Sequence, residues 1–526
     1  MKPAYLFRNA VLYDGLGNPA HKGDLLIEGG LVTRVGEIPS PEIPETAEEV
    51  DLGGLSVAPG FINIHSHSDT GILLYPEAKT LLLQGITTEV VGNCGSSSTD
   101  TSRWTDEMWD RILTSTPVKE KWDGVRGYLL AVEKARPAVN VACLFGHGDL
   151  RRRIVGDSGR PLSDEERRRM EDLARTHMAE GAFGVSSGLE YVPGRFADLD
   201  ELSAISTGVA SYRGLHASHI RNEGPGFLEA VEEAIAVARQ SGVRFEIAHI
   251  KACGPDNWGK VKKALAMLDE ANAQGIDISA DFYPYLASST ELAIVLPDWV
   301  LENGKEAGVE VLKEAETRDR AARETHIRTS SQGGWDKVVI TGVTRPENKW
   351  MEGKDVSYIA EVLKKPPEEA AIDILIDEKM HVRIARFAMS EEDLIEAMRH
   401  PRTCVVTDGW NTIPEEGKTH PRCVGTFPRV LGYYARERGV ISMEEAVRKM
   451  TSLPARKLGL KRRGVLAPGY AADLVIFDRD KIIDRATFEN PWQYPEGIFA
   501  VFVNGEPCVW EGEITRNRPG MVLMRG

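Results

Sequence analysis

Three absences narrow the reading of this 526-residue chain before any motif is considered. No apolar run approaches the ~18 residues that a membrane-spanning helix needs. There is no surplus of positive charge: 64 Lys and Arg against 79 Asp and Glu leave −15 at pH 7, which argues against nucleic acid or an anionic membrane as a partner. Cysteine is sparse. The six present (Cys94, Cys143, Cys253, Cys404, Cys423 and Cys508) lack paired spacing, which excludes a disulfide scaffold and suits a reducing, cytoplasmic compartment. The opening MKPAYLFRNAVLYDG meets Arg8, Asn9 and Asp14 too soon to hold a signal-peptide core. What remains, 42% apolar and 27% charged residues, is the composition of an ordinary globular protein.

The chain divides into strand-rich ends and an alternating middle. YLFRNAVLYDG, DLLIEGGLVTRVG and LSVAPG near the start carry β-branched and aromatic residues between Gly and Asn turns. AADLVIFD, GIFAVFVNGEPCVWEGEITR and MVLMRG near the end are alike, with Asn504-Gly505 as a hairpin signal. Residues 1–58 and 463–526 are therefore expected to build one small β-sandwich from both termini. Between them, eight candidate strands alternate with helical patterns: 61–67, 87–95, 139–147, 182–188, 211–220, 243–251, 277–285 and 403–409. Ser163 to Glu166 forms a capping box before one helix, and Ser390 and Ser442 are further N-cap signals. Eight strands alternating with helices predict an α/β fold, a (β/α)8 TIM-like barrel over 59–462. An open doubly wound sheet is the alternative, but no Gly-rich dinucleotide turn follows the first strand. Over a hundred residues separate strands seven and eight. Within them, about 286–349 is expected to form an inserted lid or subdomain.

The chemistry lies at strand ends. His65 and His67 share a face at the end of the first strand, about 6–7 Å apart. Cys94, His219, His249 and Asp408 end strands two, five, six and eight, at the face where barrel active sites form. Each alone has a plain structural reading, as a core cysteine, a satisfied buried histidine or a turn aspartate. Together they are four imidazoles, a thiolate and a carboxylate, a donor set that favours zinc over magnesium or calcium. Six donors exceed one tetrahedral site and suggest two adjacent positions. Zinc lowers the pKa of its water to ~7 and polarises a carbonyl, and a carboxylate such as Asp408 can carry that water's proton to a leaving amine. This is amide-hydrolysing chemistry. Asp69 is a candidate to orient a ligand histidine.

The motifs that carry these residues resemble the amidohydrolase superfamily, and within it the N-acyl-D-amino-acid deacylase (D-aminoacylase) family. They are APGFINIHSHSD (58–69), VVGNCG (90–95), GHGDLR (146–151), GVSSGLEYVPGRFA (184–197), HIRNEG (219–224), AHIKACG (248–254), DFYPY (281–285), TDG (407–409), HPRCVGTFPRVLG (420–432) and MTSLPARKLGL (450–460). They cover nearly the whole chain in order; the closing RGVLAPGYAADLVIFD is shared by many amidohydrolases and marks the superfamily only.

The resemblance implies one tightly bound zinc on Cys94, His219 and His249, and a weaker second site lined by His65, His67 and Asp408. It implies a small-molecule N-acyl-D-amino acid substrate whose carboxylate is gripped by Lys251, Tyr191 and Tyr283. A hydroxide formed on the metal would attack the acyl carbonyl, with Asp408 as general base and then acid. Arg422 either contacts the substrate side chain or braces a loop, and Arg221 and Glu223 are either an ion pair behind the ligands or structural support. AFGVSSGLEY has no lysine where hydantoinase-like relatives carry a metal-bridging one, which counts against cyclic-amide hydrolysis. The rival readings are another amide or dipeptide hydrolase of the superfamily, a non-catalytic scaffold, and a binding module acting through the insertion.

Overall fold

The computed structural model describes residues 4–102 and 104–525; residues 1–3 of the expected 1–58 segment and Gly526 of the expected C-terminal one lie outside them. Eight parallel strands follow one another round the barrel: β1 (Phe61–Asn63), β2 (Ile86–Val91), β3 (Asn140–Gly146), β4 (Gly184–Gly188), β5 (Leu215–His219), β6 (Arg244–Ile247), β7 (Ile278–Phe282) and β8 (Thr403–Val405). The seam between β1 and β8 is closed beyond the strands themselves. Ser66 pairs with Gly409, the Asp408 N–H donates to His65 O at 3.1 Å, and the His67 N–H donates to Gly409 O at 2.7 Å. The last backbone bonds of the barrel are therefore made by residues of the HSH and TDG motifs.

Local signals explain the surrounding helices. Ser163 caps Asp164–Ala179 with a capping box through Glu166, and Gly242 ends Phe227–Ser241 in a left-handed conformation. Ser390 and Ser442 accept from the N–H groups of Asp393 and Glu445 as N-caps. Among the described residues no helix is long and apolar enough to cross a membrane.

Both termini enter one nine-stranded sheet, in which Leu474–Phe477 bridges the C-terminal strands to Ser56–Pro59 and Ala4–Leu12. Phe7 and Phe502 stand three strand positions apart in that order, about 14 Å on a flat sheet at ~4.8 Å per strand. Their rings meet at 5.3 Å, so the sheet folds over on itself around a core that includes Tyr5, Leu25, Ile27 and Ile476. Asn504 (φ 49°) and Gly505 (φ 82°) make the expected hairpin turn between Ile498–Val503 and Glu506–Trp510.

The segment between β7 and β8 has its own core. Arg383–Arg386 is the central strand of a three-stranded antiparallel sheet with Ser288–Glu291 and Val338–Gly342, so the inserted unit runs past the expected 349. Helix Ala315–Ser330 lies between the first and second strands of that sheet in sequence. Its buried face is Ala321, Ala322, Thr325 and Thr329, too small and polar to announce a helix by apolar periodicity.

Candidate active site

The strands stop early. β1 ends at Asn63, β6 at Ile247 and β8 at Val405, so His65, His67, His249 and Asp408 stand in the turns just beyond, as Cys94 does after β2. The shared face of HSH thus comes from the seam bonding, not from an extended strand, and the His65 and His67 rings meet edge to face at 5.6 Å. Cys94 (φ 52°), His249 (φ 35°) and Asp408 (φ 46°) all adopt left-handed backbone, which is uncommon for residues other than glycine and clusters at functional sites. Neighbouring bonds hold them there. The His249 N–H donates to Asp281 Oδ1 at 2.5 Å, and the Gly95 N–H beside Cys94 donates to Ser186 Oγ at 2.9 Å. Gly95 must be glycine: a Cβ there would lie 2.6 Å from Gly188 N.

All six expected donors converge. Cys94 Sγ lies 3.5 Å from His65 Nε2, 3.6 Å from His249 Nε2 and 3.9 Å from His219 Nδ1. Zn–S and Zn–N bonds of ~2.3 and ~2.05 Å at tetrahedral angles require S···N edges of about 3.6 Å, so this triangle fits such an ion. Asp408 Oδ1 lies 3.3 Å from His65 Nε2 and 3.0 Å from His67 Nε2, which gathers a second donor group sharing Cys94. Glu190, His219 and Glu223 form a third cluster. It lies on the far side of the His219 ring, whose Nε2 is 3.4 Å from Glu190 Oε2 while Nδ1 faces the thiol, so its carboxylates fix the orientation of that ring.

Carboxylates stand behind three of the histidines. Asp281 Oδ2 is 3.3 Å from His65 Nδ1, and Glu223 Oε1 is 3.1 Å from His249 Nδ1. Asp69 does not orient a histidine as expected. It accepts the N–H groups of Gly92 and Ser98 and so fixes the Cys94 loop instead. Arg221 does not pair with Glu223: it bonds Glu233, and Glu223 takes Lys251 at 2.5 Å. His147, also at a strand end, faces Glu201 at 2.7 Å. Asp281, Glu190 and the Glu223 role carry little sequence signal, because a carboxylate near a strand end does not say which imidazole it faces.

Opposite charges set the protonation states. Burial alone would raise the Cys94 thiol, but the field of His65 and hydrogen bonds to His219 and His249 hold it well below its ordinary value. Burial would lower His67 and His219, yet Asp408 and Cys94 lift the first to about 9, while Glu223, Cys94 and Glu190 lift the second to about 10. Burial also opposes ionisation of Asp408, but Arg422 and His249 hold its carboxyl well below the usual range.

The donors open into a cavity of about 670 Å³. On one wall the Lys251 ammonium lies 5.6 Å and the Arg422 guanidinium 4.7 Å from the centroid of the Tyr283 ring. Arg422 Nη1 also forms an ion pair with Asp408 Oδ2 at 2.8 Å. Tyr191 lines the same cavity, with its hydroxyl bonded to Thr290 at 3.1 Å and its ring packed on His219 at 4.8 Å.

The profile of an amidohydrolase family matches residues 48–509. The chain belongs to the amidohydrolase family. An N-acyl-D-aspartate deacylase of Alcaligenes xylosoxydans xylosoxydans is 35% identical over 99% of this chain and 95% of its own length. The crystal structure of N-acyl-D-glutamate deacylase from Bordetella bronchiseptica, complexed with zinc and a phosphonate mimic of the tetrahedral intermediate, superposes with a TM-score of 0.82 at 33% identity, covering both chains fully. A D-aminoacylase studied for its binuclear metal centre, with one-metal activation and second-metal attenuation, gives 0.81 at 31% identity over 99% of each chain. These whole-length matches put the protein in the N-acyl-D-amino-acid deacylase branch, and it is a metal-dependent hydrolase.

Proposed function

We propose that this amidohydrolase uses zinc to hydrolyse N-acyl-D-amino acids to a carboxylic acid and a free D-amino acid. The observation that carries the reading is the Lys251–Tyr283–Arg422 group standing beside a thiolate-centred donor set in one cavity. A zinc ion held by Cys94, His219 and His249 would supply Lewis acidity and a water acidified toward neutrality. Asp408 is ionised, so it can take a proton from the attacking water and pass it to the departing nitrogen. His65 and His67 hold that carboxylate from one side and Arg422 from the other.

Lys251 has its donors on Glu223 Oε1 at 2.5 Å, His249 Nδ1 at 2.7 Å and His249 O at 3.1 Å. Were His249 to hold a cation through Nε2, its proton would sit on Nδ1, and one Lys251 donor would be free for the substrate carboxylate. Tyr283 and Arg422 complete that grip through charge-assisted bonds, and Tyr191 lines the opposite approach to His219. The D configuration rests on the named activities of the relatives. The six unpaired cysteines support the expected reducing, cytoplasmic setting.

The test is an assay of N-acetyl-D-methionine, N-acetyl-D-glutamate, their L-enantiomers and a hydantoin on protein of measured zinc content. Hydrolysis of D substrates alone, lost on chelation and restored by zinc, is the expected result. Preferential turnover of an L substrate or of the hydantoin, or activity indifferent to chelation, overturns the reading.

A further inference from the structure

The inserted unit leaves the barrel and returns to it through a joint of packed rings. Ala287 precedes its first strand, Ser288–Glu291, and Phe387 follows its central strand, Arg383–Arg386. At that joint stands His420, only 6% exposed. Its ring meets Phe488 at 4.8 Å, Tyr285 at 5.5 Å and Tyr283 at 6.4 Å, and Phe488 in turn meets Phe387 at 4.8 Å. Both ring nitrogens are used. Nδ1 accepts the Arg422 N–H at 3.0 Å, and Nε2 lies 3.0 Å from Ala287 O, to which it can only donate. The proton therefore sits on Nε2 and the ring is neutral, in keeping with burial and the Arg422 charge, which hold it well below an ordinary histidine.

Capping alone does not call for an imidazole here. Helix Arg422–Arg429 starts without a side-chain cap on Pro421, and His420 takes its first two N–H groups. Nδ1 accepts from Arg422, and the His420 carbonyl accepts from Cys423 at 3.0 Å. Asparagine, aspartate or serine can close the same turn onto the N–H two residues on. What the imidazole adds is the reach from that N–H to Ala287, 133 residues away in sequence. Tyr285, just after β7, donates to Pro421 O at 3.4 Å and braces the same turn. Arg422 depends on this backbone: its Nε is buried without a partner, and its guanidinium is placed against Asp408 at 2.8 Å and the Tyr283 ring at 4.7 Å. We infer that His420 is a positioning residue, which sets Arg422 against Tyr283 and Asp408 and ties that setting to the root of the inserted unit. The inference rests on the deacylase reading and extends its carboxylate grip by one residue.

The experiment measures kcat and KM for N-acetyl-D-methionine, and kcat/KM for its primary amide, which lacks the carboxylate charge, in the zinc-loaded wild type, His420→Gln and His420→Asn. Glutamine keeps a donor for Ala287 O and loses the acceptor for the Arg422 N–H; asparagine keeps the acceptor and loses the reach. His420→Gln is expected to raise KM for the acid roughly tenfold, as misplacing one charge-assisted bond does, with zinc content and kcat/KM for the amide little changed. His420→Asn should recover most of that loss. Equal losses on acid and amide, equal losses in the two variants, or an unchanged KM in His420→Gln overturns the assignment, because a histidine that merely fills the core has no reason to separate them. Should His420→Gln fail to fold, Phe488→Leu, which removes only a ring packed on His420, takes its place: a rise in KM for the acid alone supports the inference, and a loss on both substrates or on neither overturns it. Those variant results sink this inference and leave the deacylase reading standing, whereas no turnover of the acid by metal-replete wild type sinks both.

Discussion

Two levels of the same barrel treat ionisable side chains in opposite ways. At the rim, Cys94, Asp408 and Glu223 are held below their ordinary values and His65, His219 and Lys251 above them, so each is driven toward its charged form. Earlier on the same strands the shifts reverse. Burial raises Glu89 to about 7 and Glu246 to about 8, and burial, then the charge of His147, drops His216 to about 3, so all three are driven toward neutrality. Burial does not separate the levels: His65, His216 and Glu246 are each 1% exposed. Their partners do. The lower groups face neutral ones, His216 between the hydroxyls of Ser187 at 2.8 Å and Ser206 at 2.7 Å, and Glu89 on Ser68 and Asn63. The rim groups face each other with alternating sign. Under the proposed function the rim takes in a cation and an anionic substrate, and its charges balance among themselves until those arrive, whereas the level beneath serves packing and can stay uncharged.

That contrast breaks most visibly if the thiolate is removed. Cys94 touches both donor groups, so Cys94→Ala should strip tightly bound metal and lower activity beyond the ~10²–10⁴-fold that general acid–base catalysis supplies. Elemental analysis of the purified variant checks this, and full occupancy would contradict the ligand assignment. Asp408→Asn keeps the Cys94–His219–His249 group and should retain its metal while kcat falls ~10²–10⁴-fold; near-normal turnover removes Asp408 from the proton path. Lys251→Met attacks the balance itself. It removes the nearest counter-charge of the buried Glu223 and leaves only the imidazoles of His219 and His249, which costs at most about 3–5 kcal/mol, and it raises KM by weakening the carboxylate grip. Adding Glu223→Gln should restore thermal stability without restoring KM. Recovery of both together would show that Lys251 acts only as the partner of Glu223.

Much of this was legible in the sequence, and the misses share a cause. The alternation of β-branched runs with capped helices gives the barrel because strand and helix periods differ, and Ser163 with Glu166 marks one helix start to the residue. The six donors are legible because His and Cys are rare types whose appearance after successive strands is informative. Carboxylates are common, so nothing singles out Asp281 behind His65, and Asp69 looks as suited to that task although it turns to backbone N–H groups. The exact strand ends are not legible either: HSH reads as extended chain, whereas its geometry comes from bonds to Gly409 and Asp408, more than 340 residues away in sequence. The joint at His420 is hidden for another reason. Its partner Ala287 lies at the root of an inserted unit whose helix Ala315–Ser330 buries alanine and threonine, and no pattern in the chain places the two together.

The smallest effect sharpens the comparison from beneath. Glu246 contacts Ser279 Oγ through one oxygen, while its other oxygen is buried without a partner. Its carboxyl is raised from 4.5 to about 8 by burial, against the opposing charge of Lys457. Between those values the folded protein keeps a proton that the unfolded chain has released, so this group's contribution to stability falls as pH rises from about 4.5 and levels off above about 8. Glu246→Gln keeps the shape of the neutral acid and removes the titration. The melting temperature of the variant relative to the wild type should therefore climb between pH 5 and pH 8, by roughly a few degrees in a chain this long. The comparison is best made by calorimetry on metal-replete protein, so that rim protonation does not enter. A difference that stays flat with pH would mean Glu246 is ionised in the fold, and the division between a charged rim and a neutral level below it would then fail at that strand.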